Sequence, residues 1–157
     1  YNNNFSEFSY AKADLGYAFS LGDDISIVLD SKGGFKIGED SNNSLNFALG
    51  GYGNNFINNF VAFYGYDFIS LTGNSFVKGS INIDYEFAKH HHFNMAANYA
   101  NVGDDIFEES EWLKGPDYSG YALGYGFESF LGPIELNYTW SPETRKNHWF
   151  FNLGFWF

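Results

Sequence analysis

His90, His91 and His92 stand side by side, and one acidic segment carries Asp104, Asp105, Glu108, Glu109, Glu111 and Asp117. Imidazole is a ligand for zinc and its neighbours, whereas carboxylate oxygens suit calcium and magnesium. Adjacent residues on a tight turn point apart, and no cysteine accompanies the histidines, so His90 to His92 read as a solvated turn. Asp104, Asp105, Glu108 and Glu109 make a candidate site for a divalent cation, against the plainer reading of a solvated acidic loop. His148, beside Trp149, reads as interfacial. No G-x-S-x-G occurs, so no serine-lipase nucleophile is expected, and the chain is expected to be neither an enzyme nor the holder of a cofactor.

Charge narrows the partners. The formal net charge is −11 with only eight Lys and Arg, scattered from Lys12 to Lys146, and phosphate backbones need clustered cations. Nucleic acid is therefore not an expected partner. The absence of cysteine excludes disulfides and thiolate metal sites.

The elements that must position these residues are strands. Phe, Tyr and Trp supply 22% of the 157 residues, with 18 glycines and three prolines, yet mean hydropathy is negative and no apolar run approaches the roughly 20 residues of a spanning helix. A transmembrane barrel reconciles these facts, because its strands alternate lipid-facing with lumen-facing side chains. A soluble sandwich or lipocalin-like barrel is the alternative. The terminal stripe Trp149, Phe151, Leu153, Phe155 and Phe157 shares one face of an extended chain and calls for lipid or a core.

Alternation runs through most of the sequence. Ala11, Ala13, Leu15, Tyr17, Phe19 and Leu21 oppose Lys12, Asp14 and Gly16; after the turn Gly22-Asp23-Asp24, Ile25, Ile27, Leu29, Phe35 and Ile37 oppose Asp30, Lys32 and Lys36. Val77 to Phe87, Phe93 to Tyr99 and Tyr121 to Phe127 repeat the pattern. Ile134 to Trp140 and the terminal stripe complete seven strands. The inward positions of the Tyr121 strand are Gly120, Ala122, Gly124 and Gly126, which leaves room in the lumen. Inward Lys12, Asp14, Asp30, Lys32, Lys78, Asp84, Glu86, Glu128 and Glu135 are expected to form a structural ion-pair network rather than a proton relay. Trp112, Trp140, Trp149, Tyr138 and Tyr99 are expected in an interfacial belt.

Short turns belong on the periplasmic side of such barrels and long loops outside. With Phe157 at the periplasmic edge, the segments 38–75, 103–119 and 141–147 are external, and 88–92 and 129–132 periplasmic. The acidic external segment is then a candidate to bind cations that bridge lipopolysaccharide phosphates, the commoner reading of such a run being a solvated loop. Single-chain barrels usually have an even strand count, so either Leu45 to Gly51 is an eighth strand or the chain is part of a larger barrel. Tyr1 follows no Met or leader, which suggests a mature or trimmed product.

Asn46-Phe-Ala-Leu-Gly-Gly51, Phe63-Tyr-Gly-Tyr66 and the run Leu71 to Glu86 resemble the sixth external loop and following strand of the BamA/TamA superfamily, the bacterial surface antigen family. Gly132-Pro-Ile-Glu-Leu-Asn-Tyr-Thr-Trp140 resembles its penultimate strand. The segment Gly51 to Phe60 and Ser141-Pro-Glu-Thr144 are similar to the barrel of Bacteroidetes patatin-like phospholipases. The resemblance implies an all-β, antiparallel outer-membrane barrel of Gram-negative bacteria, seven or eight strands here, with the loop Leu45 to Ser75 folding toward the lumen, as the C-terminal half of a sixteen-stranded barrel. It implies a lumen-loop motif at Tyr64, Gly65, Tyr66 and Asp67 and an assembly signal at Phe155 and Phe157 read by the outer-membrane assembly machinery. Where the family reads V-R-G-[FY], this chain has Phe63-Tyr64-Gly65-Tyr66, so the cation is missing. The expected roles are the membrane part of a translocation or assembly system, the anchor of a phospholipase encoded upstream, or a small barrel that binds ligands through its loops. The expected partners are outer-membrane lipid and lipopolysaccharide, the assembly machinery, and a second copy or the rest of a larger barrel.

Overall fold

Alternating apolar and polar side chains suit an extended backbone with two different faces, and in the computed structural model they form seven long strands. The structure describes residues 9–38, 46–53, 59–108 and 110–154; Glu109, Phe155 and Phe157 lie outside the described residues. The long strands are β1 (Ser9–Leu21), β2 (Ile25–Ile37), β6 (Ser75–Ala88), β7 (His91–Gly103), β8 (Tyr118–Ser129), β9 (Gly132–Trp140) and β10 (Asn147–Leu153). All neighbours are antiparallel in the order β1-β2-β6-β7-β8-β9-β10. The sheet is not closed: among the described residues β1 and β10 are its two edges.

The turns sort to two ends. Leu21 pairs Ile25 around Gly22, whose φ of 74° is the left-handed value such a turn requires. Ala88 pairs His91, with a bulge at Glu86, and Ser129 pairs Gly132. The segments 38–74, 104–117 and 141–146 join the strands at the other end. That is the asymmetry of an outer-membrane wall.

Leu45 to Gly51 does not supply an eighth strand of this wall. Phe47, Ala48 and Leu49 are all buried, a run without alternation that has no lipid or solvent face to offer. They form β3 (Phe47–Leu49), which pairs in parallel with β4 (Phe60–Val61) and antiparallel with β5 (Leu71–Gly73) in a separate three-stranded sheet. This small sheet belongs to the long connection between β2 and β6 and packs on one face of the wall, called inner here.

The core lies between loop and wall. Phe47, Leu49, Val61, Phe63 and Tyr66 come from the loop, and Phe76 and Ala100 from the wall. Burying a Phe or Leu contributes about 1.5–3 kcal/mol, so this contact fixes the loop. Gly34 makes space for it, since a Cβ there would stand 2.9 Å from both Phe47 Cζ and Phe76 Cε1.

Below the 104–117 segment, which covers its long-loop end, the outer face has no such cover. Leu15 is 71% exposed, Tyr17 67% and Phe151 69%, part of an apolar surface far larger than water tolerates on a monomer. Aromatic ladders cross it near both ends. Tyr99–Tyr121, Tyr121–Trp140, Tyr138–Trp140 and Tyr138–Trp149 stand 4.9–6.1 Å apart by ring centroid at the long-loop end. At the short-turn end His91 contacts Phe87, Tyr125 and Phe127. Four of the five expected belt residues thus come together, while Trp112 packs on Phe107.

Candidate functional site: the inward loop and its seat

Tyr64, Gly65, Tyr66 and Asp67 lie where the loop meets the wall, and each is held differently. The Tyr64 amide donates to Asn98 Oδ1 at 2.7 Å, and Asn98 Nδ2 donates to the Gly120 carbonyl at 3.1 Å. Asn98 is fully buried, so one wall residue satisfies loop and strand together. A Cβ at Gly120 would sit on the Tyr64 carbonyl oxygen and 2.6 Å from Asn98 Nδ2. Gly65 has φ of 80°, and a Cβ there would collide with the Trp140 carbonyl and lie 2.7 Å from the Ser141 amide. Both glycines are therefore points of backbone-to-backbone approach.

The tyrosines carry the polar side of the seat. Tyr64 donates to Asn82 Oδ1 at 3.2 Å, and burial first, with the nearby Asp30 and Glu135 charges, pushes its hydroxyl up to about 12. It stays a donor at any physiological pH. Tyr52 lies between Tyr64 and Phe150, with centroids 5.7 and 5.1 Å away; its hydroxyl accepts from Asn137 at 2.7 Å and reaches Glu135 at 3.4 Å. Burial raises it as well. Tyr66 reaches Glu143 Oε2 at 3.4 Å.

Glu143 organises the third long connection. It accepts from the Ser119 and Ser141 hydroxyls, both at 2.6 Å. Burial alone would raise its carboxyl, but these hydrogen bonds outweigh it and hold the group below the ordinary carboxylate range. Asp67 accepts from Lys146 at 2.8 Å, with His148 Nδ1 3.7 Å away, and the Lys146 hydrogen bond lowers its carboxyl. His148, expected at the membrane interface, thus faces the loop from the inner side.

The small inward residues of β8 serve different tenants. Gly120 admits the Tyr64 backbone, whereas the space at Gly124 is filled by the side chain of its paired neighbour on β9, Asn137, which in turn holds Tyr52. Sequence marked the room and the loop, but Asn82, Asn98 and Asn137 were not singled out as its holders. Asn98 and Asn137 are inward asparagines opposite Gly120 and Gly124, while Asn82 lies between Val28 and Ala96; alternation alone cannot distinguish any of them from another polar lumen residue.

The inward charges pair in part as expected, whereas Glu86 accepts from the His90 amide and Glu135 from the Tyr52 hydroxyl. Lys32 meets Asp14 at 2.9 Å, Lys78 meets Asp30 at 4.0 Å, and Ser80 also donates to Asp30. Lys12 lies 5.8 Å from the Phe47 ring centroid. At the short-turn end His92 bridges Asp84 at 2.9 Å and Glu128 at 3.6 Å, and His90 meets Glu128 at 2.9 Å. The expectation that the three histidines point apart holds only for His91, which lies on the outer face, since His90 and His92 converge on Glu128; His91 and His92 moreover belong to β7 rather than to a turn. The strand extends two residues further than alternation indicated because each ring finds a partner on its own face.

The acidic segment folds back on the wall. Asn74 donates to Asp104 and Asp105 at 3.0 and 2.8 Å, and Asp105 N donates to Asn74 Oδ1. Two carboxylates of the candidate cation site therefore clasp a neighbouring loop, Glu109 lies outside the described residues, and among the described residues no three His, Asp or Glu side chains converge as metal ligands.

A family model described as the OMP85 superfamily matches residues 1–157. No curated protein matches the chain.

Proposed function

The chain belongs to the OMP85 superfamily, an outer-membrane barrel of the BamA/TamA kind, and from that premise we propose that it is the membrane-embedded wall of a protein translocation or assembly system. The observation that carries the reading is the loop seated on the inner face, joined to the wall by a buried apolar cluster and by the Tyr64–Asn98–Gly120 contact. The loop narrows the lumen and fixes its shape, so the barrel works by shape and gating rather than by bond chemistry. The open edges β1 and β10 are to be closed by the remainder of a larger barrel or by a second copy. The terminal residues Phe155 and Phe157 serve recognition by the assembly machinery.

Depletion of the protein, followed by quantitative profiling of the outer membrane and the cell surface, tests this role. Loss of a defined set of surface or membrane proteins supports it, and an unchanged set overturns it. A second reading has its own observation: the loop tip carries no cation, and close backbone contacts at Gly65 and Gly120 lock it, which suits a static anchor. That anchor would hold a patatin-like phospholipase domain. The intact mass of the polypeptide from native membranes and the sequence upstream of Tyr1 decide it: a G-x-S-x-G domain on the same chain supports the anchor, and a mass of 17.8 kDa rules it out.

A further inference from the structure

The outer face carries a groove beneath the acidic segment. Its floor is a row of small residues in register: Ala11 pairs Phe35, Ala13 pairs Gly33 and Leu15 pairs Ser31, while Gly33 also pairs Val77 of β6. Leu15, Phe35 and Val77 make its walls. Phe107 stands edge-on to Phe35 at 5.6 Å and Trp112 lies 6.0 Å from Phe107, which gives the groove a roof at the long-loop end. Its volume of about 370 Å³ falls within the roughly 300–1,000 Å³ of small-molecule sites.

The roof is built rather than draped. Ser75 and Asn101 are outward positions of β6 and β7, yet both are buried. The Ile106 amide donates to Ser75 Oγ at 3.1 Å, Asn101 Nδ2 donates to the Glu111 carbonyl at 3.1 Å, and the Asp117 amide donates to Asn101 Oδ1 at 2.7 Å. Two buried polar side chains of the outer wall thus exist to hold the 104–117 segment against it. Ile106, 2% exposed, packs beneath.

We propose that the groove between β1 and β2, roofed by Phe107 and Trp112, is a specific seat for one acyl chain of an outer-membrane lipid. The inference rests on the outer face being the lipid-facing one. Continuity with that surface selects the occupant: the groove opens onto exposed Leu15 and Phe35, its lining is mainly apolar, with Ser31, Lys12 and Lys32 the polar residues in it, and a flexible hydrocarbon chain fits a trough floored by Ala, Gly and Ser. A protein side chain or a polar ligand would find little to bond there.

The chain isolated from outer membranes, delipidated in detergent and titrated with palmitoyl-oleoyl phosphatidylethanolamine, is read by native mass spectrometry. Gly33→Leu and Ala13→Phe fill the trough; a Cβ at Gly33 meets nothing nearer than the Phe76 carbonyl oxygen at 3.6 Å, so the wall itself accepts it. Both are expected to lower occupancy of the first lipid at least five-fold, whereas Ala97→Leu, on the same outer face of β7, leaves it unchanged. Equal binding by wild type and both groove variants, or an equal loss in Ala97→Leu, overturns the proposal. Heat-modifiable gel mobility shows that each variant is folded. Brominated-chain phosphatidylcholine gives an independent reading on the unaltered groove: the fluorescence difference between wild type and Trp112→Phe is quenched if the chain is seated and unquenched if it is not. A protein that inserts into no vesicle at all would instead count against the outer-membrane assignment.

Discussion

A single missing methyl decides where the inward loop rests. Gly120 lies under the Tyr64 carbonyl and Gly65 against Trp140, so Gly120→Ala must push the loop from its seat, at a cost of about 1–3 kcal/mol by overpacking. Thermal unfolding in detergent, followed by heat-modifiable mobility, should show the loss, while Gly16→Ala, which meets nothing within 4 Å, should not. Asn98→Ala removes the partner of the Tyr64 amide and a side-chain donor to the Gly120 carbonyl, which keeps its strand partner, and the orphaned amide costs about 1–3 kcal/mol. Protease cleavage of the loop should rise in that variant. Acid acts on the same contacts through Glu143 and Asp67, whose carboxyls are held below their ordinary values of 4.5 and 3.8. A lowered folded value stabilises above the unfolded one and is lost as pH falls through the folded one. Loop proteolysis by an acid-tolerant protease should therefore be flat above about pH 5 and climb below pH 4; a rise at neutral pH would refute this.

Elements were legible wherever their two faces differ chemically. β1, β2 and β6 appear almost residue for residue where Ala11 to Leu21, Ile25 to Ile37 and Val77 to Phe87 alternate, because lipid on one side and charges on the other leave only one register. Alternation carries no information where that contrast vanishes. Phe47, Ala48 and Leu49 are buried on every side, so their period carries no direction, and a short apolar run can belong to a wall or to an interior. The loop's holders escaped notice because asparagines at 82, 98 and 137 look like ordinary lumen residues until the opposite chain is in place. The same lipid contrast predicts the cost of breaking a face: Leu123→Arg, between the two aromatic ladders, should destabilise folding into vesicles by about 2–4 kcal/mol, and Phe127→Arg, at the short-turn end, by about 0–1 kcal/mol. Equal costs at the two positions would mean that the outer face does not meet lipid.

At the scale of the molecule, two long edges stand open. Among the described residues β1 and β10 each pair with one neighbouring strand only, and hydrocarbon tolerates no open strand edge. The 157-residue chain refolded alone in detergent should therefore associate through these edges, giving at least a dimer by light scattering at micromolar concentration. A stable monomer would mean that the edges are covered within the chain.

Gly33 and Gly34 are consecutive, and one faces out while the other faces in. At that spot the barrier between the membrane and the interior is bare main chain, with the Phe47 ring resting on one surface and the acyl groove carved into the other. Among the described strands no other two glycines are adjacent. A bilayer molecule and a lumenal residue are here separated by a single peptide layer, so pressure applied by the first has almost no cushion to cross before the second feels it.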